Sequence, residues 1–333
     1  MIFSIKSTAF SVSERTFNEL DLILSRVEDD IHEMDIEDAD LLEDSDWYQS
    51  SRPSRKQLLE KIAGNAVWRS PRTKGPHLRR VEVVDEESSI RARHTALTPL
   101  RVLVENAVSD GCLLKAALRT FANEATYRLC FGEPSEGEPP AFKIESRGGH
   151  GELKKMIVQS ISEANERARV PRLIVITDSD GEWPGDVKAH AQEIRTLCTD
   201  AGLPCPPLNK RTAENYIPDD ILLAWGNSDG LNAVKPAIDA LLRLSPEQRD
   251  YVHINSGNKE PWDHSKENVA ELFSSVSLDD RNLLKVASLK GRGDNMMIMA
   301  LEVHGAELSS QNFQDRDQNG DLLALVRQIE DEL

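Results

Sequence analysis

The segment Arg172 to Thr177, RLIVIT, sets four aliphatic residues in a row and runs directly into Asp178-Ser179-Asp180-Gly181. A short run without a polar face fits a strand buried on both sides, which occurs where helices cover both faces of a parallel sheet. Two earlier stretches repeat the theme. Leu100 to Glu105, LRVLVE, is another short apolar run, and Phe142 to Glu145, FKIE, is a further candidate strand with Gly148, Gly149 and Gly151 as its turn. A helical pattern follows each strand. The first has Leu113, Leu114, Ala117, Leu118 and Phe121 on one face with Ser109 or Asp110 as cap, the second Leu153, Met156, Ile157 and Ile161, and the third lies near Val187 to Cys198. This alternation predicts an α/β fold, a parallel sheet with helices on both faces joined by right-handed crossovers.

On either side of that expected core, residues 98–225, the pattern changes. Residues 1–97 read as a helical, charged N-terminal region and residues 226–333 as a helical C-terminal region, either a lid or a continuation of the core. Near the start, Phe17, Leu20, Leu22, Ile23, Leu24 and Val27 recur at helical spacing, and the stretch Glu28 to Asp46 is then dominated by acids. Like charges in a block repel and stay hydrated, so a solvated helix face or linker is expected there; the sharper alternative is a docking or autoinhibitory segment that imitates nucleic acid. Directly afterwards the sign reverses: Arg52, Arg55, Lys56, Lys61, Arg69, Arg72, Lys74, Arg79 and Arg80 share a stretch with one acid, Glu60. Arg52, Arg55 and Lys56 are its leading candidates for phosphate contact, against an ordinary basic surface that pairs with the acidic run.

The net charge of -17 argues against non-specific wrapping of nucleic acid, which depends on basic surface and counterion release, but it leaves room for a local basic groove. No apolar run approaches the roughly 18 residues a membrane helix needs, and the opening segment lacks a basic start followed by an apolar stretch. A cytoplasmic protein without membrane contact is therefore expected. The four cysteines contain no C-x-x-C pair and read as reduced, mostly buried thiols.

Ligands of open α/β sheets bind outside the carboxyl ends of the strands, and both strong strands end in acids. Glu105 closes VLVE; Asp178 closes LIVIT, with Asp180 two residues on and pointing the same way in an extended chain. Carboxylates that converge at one sheet edge repel unless a cation neutralises them. One or two Mg²⁺ or Mn²⁺ ions, which take oxygen ligands and keep places for phosphate oxygens, are the expected cofactors, and metal-assisted phosphodiester hydrolysis is the expected chemistry.

The order of these features, a glutamate after the first strand, a glycine turn after the second and D-x-D after the third, resembles the Toprim domain of topoisomerases, bacterial primases and OLD-type nucleases, over roughly residues 98–220. Lys210-Arg211-Thr212-Ala213-Glu214-Asn215-Tyr216 is similar to the K-R-x-x-E-N-Y stretch of OLD-like Toprim nucleases, including those paired with ATPases in anti-phage defence. The resemblance implies that Glu214 adds a metal-directed carboxylate and that Lys210 or Arg211 orients phosphate or the acids; a structural salt bridge is the competing role. Two departures stand out: Asn106 replaces the usual glycine after the glutamate, and Asp110 sits one residue beyond the usual second acid, so it is either a metal ligand or a helix cap. Late in the chain, Lys290-Gly291-Arg292 is similar to the lysine-containing segment that stabilises developing phosphate charge, which makes Lys290 a candidate catalytic residue.

Asp315 to Gly320 imitates the start of a calcium loop, but Val326 stands where the bidentate glutamate belongs, so a turn capping the last helix is expected. The sequence holds no phosphate-binding G-x-x-x-x-G-K-[ST], so ATP hydrolysis would come from a partner. His150 beside the glycine turn is read as an exposed loop residue with a minor prospect of reaching the site, and the remaining histidines show no metal-box spacing. The leading expectation is a Mg²⁺- or Mn²⁺-dependent endonuclease acting on DNA, with tRNA or other structured RNA as the alternative substrate, in concert with an ATPase. A catalytically silent Toprim-fold regulatory or assembly subunit is the runner-up. A homodimer is compatible with the sequence, which does not fix oligomeric state.

Overall fold

The computed structural model describes residues 1–29, 31–67, 80–133, 139–166, 171–228, 234–254, 260–286, 296–305 and 308–333. Six strands form two three-stranded sheets, parallel throughout. β1 (Ile2–Ile5) lies between β2 (Glu33–Ile36) and β3 (Arg80–Val83); β4 (Leu100–Leu103) lies between β5 (Phe142–Glu145) and β6 (Leu173–Val175). The chain is α/β, and the expected strands at Leu100, Phe142 and Leu173 are the three that make up the second sheet.

That second sheet is covered on both faces, and the period of two in a strand sorts its residues accordingly. Leu100, Val102 and Val104, with Ile174 and Ile176, face a core shared with the helix Ser109–Phe121 and with the C-terminal helices. Leu103, Leu173 and Val175 face the opposite way, onto Leu153, Met156 and Ile157 of the helix Gly149–Glu166 and Ile194 and Cys198 of the helix Ala189–Asp200. Each such fully buried aliphatic contributes on the order of 1.5–3 kcal/mol, so the sheet is the rigid element on which anything at its edge is mounted. The C-terminal region resolves its two alternatives in favour of continuity. Trp225, Leu241, Leu301, Phe313, Leu325 and Ile329 belong to the same core as Leu100 and Val102.

The N-terminal region, expected to be mainly helical, also has its own sheet and its own core, built from Phe3, Ile5, Leu20, Ile23, Leu24, Met34, Ile36, Trp47, Leu59 and Val83. The acidic run is likewise not a solvated linker. Within it Met34 and Ile36 alternate inward from β2 while Glu33 and Asp35 point outward, Asp35 to an ion pair with Arg80 at 2.7 Å. Asp38 and Ser45 cap the two short helices that follow. Arg172, which is buried, donates to the carbonyls of Thr98 (2.6 Å), Glu332 (3.0 Å) and Leu333 (2.9 Å), and more distantly to that of Thr95 (3.4 Å) in the helix Glu86–Leu97, tying the start of β6 to that helix and to the last one. Of the basic stretch, Arg55 pairs with Asp21, Lys56 lies 5.0 Å over the ring of Tyr48 and Arg52 is exposed, all on the N-terminal unit; Arg69, Arg72, Lys74 and Arg79 lie outside the described residues. As expected, the turn before the last helix caps it, through the Asp317 carboxylate, which accepts from the Leu322 N–H. Among the described residues no helix is long and apolar enough to cross a membrane, and the four cysteines are free, three of them buried.

Candidate metal centre

All three strands of the second sheet deliver functional side chains at their carboxyl ends. Glu105 follows β4, the Gly148-Gly149-His150 turn follows β5, and Asp178 and Asp180 follow β6. Because β4 and β6 run in register from Arg101 and Leu173 to Leu103 and Val175, the residues just beyond them come level, and the Thr177 hydroxyl donates to Glu105 Oε1 at 2.8 Å.

Five carboxylates converge there. Burial first, then repulsion from Asp110 and Asp180, pushes the Glu105 carboxyl from its ordinary 4.5 up to about 7. Burial followed by the charge on Glu214 pushes Asp110 up to about 6, although the Asn106 N–H and the Ser109 hydroxyl, which it accepts at 3.0 and 3.1 Å, hold it lower than burial alone would. Asp178 is raised well above the carboxylate range by burial and then by Asp110, Glu105, Glu214 and Asp180. Among the described residues no lysine or arginine ion-pairs with Glu105, Asp110 or Asp178; the basic side chains beside Glu105 and Asp180 are histidines, charged only when protonated. Carboxylates left facing one another in this way are costly, and a divalent cation is the species that relieves the cost. The donor set thus fits the expected metal. Asp110, for which two roles were open, sits inside the first turn of its helix, where its carboxylate accepts from the Asn106 N–H and the Ser109 hydroxyl at the helix start and its charge acts on Asp178.

The loop that carries Asp178 and Asp180 is tightly specified. Asp180 has φ +50, a left-handed conformation that a non-glycine residue adopts at a cost, and is held there by its N–H bond to the Arg211 carbonyl at 2.9 Å. Ser179 is fully buried; its hydroxyl donates to the Lys210 carbonyl (2.7 Å) and accepts from the Gly181 N–H (3.1 Å). At Gly181 a Cβ would lie 2.1 Å from the carbonyl oxygen of Asp186, so only glycine fits.

These contacts give the K-R-x-x-E-N-Y segment a different division of labour from the one expected. Lys210 and Arg211 reach the site through backbone carbonyls. The Lys210 ammonium is buried, paired with Asp250 and 5.2 Å over the Tyr216 ring, so its expected contact with nucleic acid is corrected to a structural one. Arg211 donates to the Tyr251 carbonyl (3.2 Å), approaches Glu182 (3.9 Å) and lines a groove of about 500 Å³ with Trp262, His253, His264 and Arg281. Glu214 is the member that faces the acids. Asn215 donates to the carbonyls of Arg249 and Val252, and the Tyr216 hydroxyl donates to Asp321, which also accepts from Asn209; both fasten the segment to the C-terminal helices. Lys290 lies outside the described residues.

Two histidines join the cluster. His150, expected to be an exposed loop residue, places Nε2 at 2.9 Å from Glu105 Oε1 and 3.4 Å from Asp180 Oδ2. His190, which sequence spacing did not single out, places Nε2 at 2.9 Å from Asp180 Oδ2, and the two imidazole rings lie 3.8 Å apart. Burial and the neighbouring His190 hold His150 below its ordinary value, favouring the neutral ring. Each histidine is the second residue of its helix, Gly149–Glu166 or Ala189–Asp200, and these two helices pack on the same face of the sheet. That common position at the head of a helix leaving a strand end was the signal available in the sequence. Comparison of the chain with protein-family models, with curated proteins and with solved structures gives no match.

Proposed function

We propose that this chain is a metal-dependent nuclease with a Toprim-type core over residues 98–225, most similar in motif order to OLD-like enzymes, and that it hydrolyses phosphodiester bonds of DNA. The carrying observation is the convergence of Glu105, Asp110, Asp178, Asp180 and Glu214 at the carboxyl edge of one parallel sheet, with no lysine or arginine among the described residues paired to Glu105, Asp110 or Asp178. These carboxylates would hold Mg²⁺ or Mn²⁺, which supplies Lewis-acid polarisation of the phosphate and an acidified water. Glu105, whose Oε1 is fixed by the Thr177 hydroxyl, orients the attacking water and takes its proton at the other carboxylate oxygen. Asp178 and Asp180 are mounted on a loop whose hydroxyl and glycine contacts leave little freedom, which suits a site that works by positioning. Arg211, Lys188 and Lys266 surround Glu182, two residues past Asp180, in an ion-pair network that also takes in Asp186 and Asp263. An ATPase partner and a role in anti-phage defence follow from the OLD-like motif order and belong to the same proposal.

Plasmid DNA, single-stranded DNA and total tRNA, each with Mg²⁺ or Mn²⁺, test it. Cleavage by the full chain that is lost with chelator and in both Glu105→Ala and Asp178→Ala is the expected result. Absence of cleavage on every substrate, alone and with a candidate ATPase, would replace this reading with that of a regulatory subunit.

A further inference from the structure

Resting on the metal-centre reading, we propose that the acid cluster is chemically divided, and that its part formed by His150, Asp180 and His190, with Glu105 beside His150, is a site for a first-row transition-metal dication in preference to Mg²⁺. The observations are geometric. One ligand atom each from His150, Asp180 and His190 lies within 4.8 Å of the other two. The separations of 3.4 Å (His150 Nε2 to Asp180 Oδ2) and 2.9 Å (His190 Nε2 to Asp180 Oδ2) lie on either side of the ligand-to-ligand edge about an ion whose bonds are ~2.0–2.1 Å, roughly 3.3 Å, and Glu105 Oε1 lies 2.9 Å from His150 Nε2.

The second observation is an orphan. His150 Nε2 is shut off from water and, although near two carboxylate oxygens, makes no hydrogen bond to either. A buried ring nitrogen in that position costs on the order of 1–3 kcal/mol unless something satisfies it. An ion placed between the nitrogen and the two carboxylates does so, and the left-handed backbone at Asp180 is what brings the second carboxylate within reach. The turn is built for this as well: Gly148 (φ +84) and Gly149 (φ +66) take conformations that glycine alone adopts freely, and they swing His150 over Glu105.

Ligand type sets the choice of metal. Mg²⁺ is held by oxygen and gives up water reluctantly, whereas imidazole nitrogen favours Mn²⁺ through Zn²⁺ in increasing order up to copper. The opposite half of the cluster, Asp110, Asp178 and Glu214, offers oxygen only. In the metal-free arrangement His190 Nε2 and Asp180 share a hydrogen bond; an ion would take the place of the shared proton at Nε2, with the neutral ring carrying its proton at Nδ1.

The test uses Co²⁺, whose visible d–d bands report nitrogen and oxygen ligands directly, added to the metal-free full-length chain. One equivalent should give these bands, a hundredfold excess of Mg²⁺ should not remove them, and His150→Ala and His190→Ala should each lower the ratio of Co²⁺ to Mg²⁺ affinity at least tenfold. His150→Gln and His190→Gln, which keep volume, should show the same loss with an unchanged circular dichroism spectrum. Co²⁺ affinity and spectrum that survive both glutamine changes, or full displacement by Mg²⁺, would overturn the proposal. Histidine-dependent Co²⁺ binding in a chain that cleaves no nucleic acid would sustain this site while removing the nuclease reading. Cleavage lost in Glu105→Ala alongside histidine-independent Co²⁺ binding would do the reverse.

Discussion

Glu105→Gln should make the metal-free protein more stable while taking away its response to metal. The Glu105 side chain is 14% exposed, and its carboxyl is displaced from 4.5 to about 7 by burial and by Asp110 and Asp180. By linkage that displacement corresponds to roughly 3 kcal/mol of lost stability once the group is ionised in both folded and unfolded chains. Below the unfolded value both states are protonated and nothing is lost. As pH rises from 4.5 towards 7 the unfolded chain sheds its proton first, and the folded state weakens until the loss is complete above about 7. Glutamine keeps the shape and the oxygen that accepts from Thr177 but never ionises, so it should recover about 1–3 kcal/mol at pH 8 and less at pH 5.5. For a chain of this size that is a rise in melting temperature of about 2–6 °C. Melting in EDTA, followed by fluorescence at both pH values, reads the first half. Repeating it with Mn²⁺ reads the second, where wild type should gain about 2.7 kcal/mol at a hundred times the dissociation constant and the variant much less. A glutamine variant that melts below wild type at pH 8 in EDTA, or that keeps the full gain from Mn²⁺, would refute the electrostatic account of the cluster.

Two further outcomes follow from the loop and its support. Gly181→Ala sets a methyl against the Asp186 carbonyl oxygen, so the loop must move; Mn²⁺ binding measured by calorimetry should weaken at least tenfold while far-ultraviolet circular dichroism stays native, and unchanged binding would show the loop to be softer than its contacts imply. Lys210→Met removes one of the two cations on the half-buried Asp250 and should cost about 2–3 kcal/mol by urea denaturation, less than the ~3–5 for a pair left wholly unpartnered because Arg316 remains; Arg55→Ala, at the surface, should cost under about 1 kcal/mol.

The second sheet was legible because β6 and, apart from Arg101, β4 are apolar on both faces, and strand ends in such sheets carry the ligand site. Leu100, Phe142 and Leu173 all begin strands, and Glu105, Asp178 and Asp180 lie together beyond two of them. The N-terminal sheet was hidden for the converse reason. β2 is four residues, EMDI, whose two inward side chains are outnumbered by acids in every window wide enough to read a period. His190 was missed because ten residues separate it from Asp180, and only the geometry of the loop and the head of the helix folds that distance away. Lys210 was misread because a motif names residue types without saying which atoms act; here its carbonyl serves the site and its ammonium serves the core.

The bond from the Ser179 hydroxyl to the Lys210 carbonyl opens a continuous path away from the metal centre. The Lys210 N–H reaches the Tyr216 hydroxyl, and that hydroxyl donates to Asp321, the first residue of the helix Asp321–Glu332. The loop bearing Asp178 and Asp180 is therefore tethered, by three successive hydrogen bonds, to an element at the far end of the sequence. Gripping or rotating that helix would pull on the tether and shift Asp180 against Glu105, altering the spacing on which cation binding depends. Whatever restrains the C-terminal helix therefore also restrains the loop of the candidate metal centre.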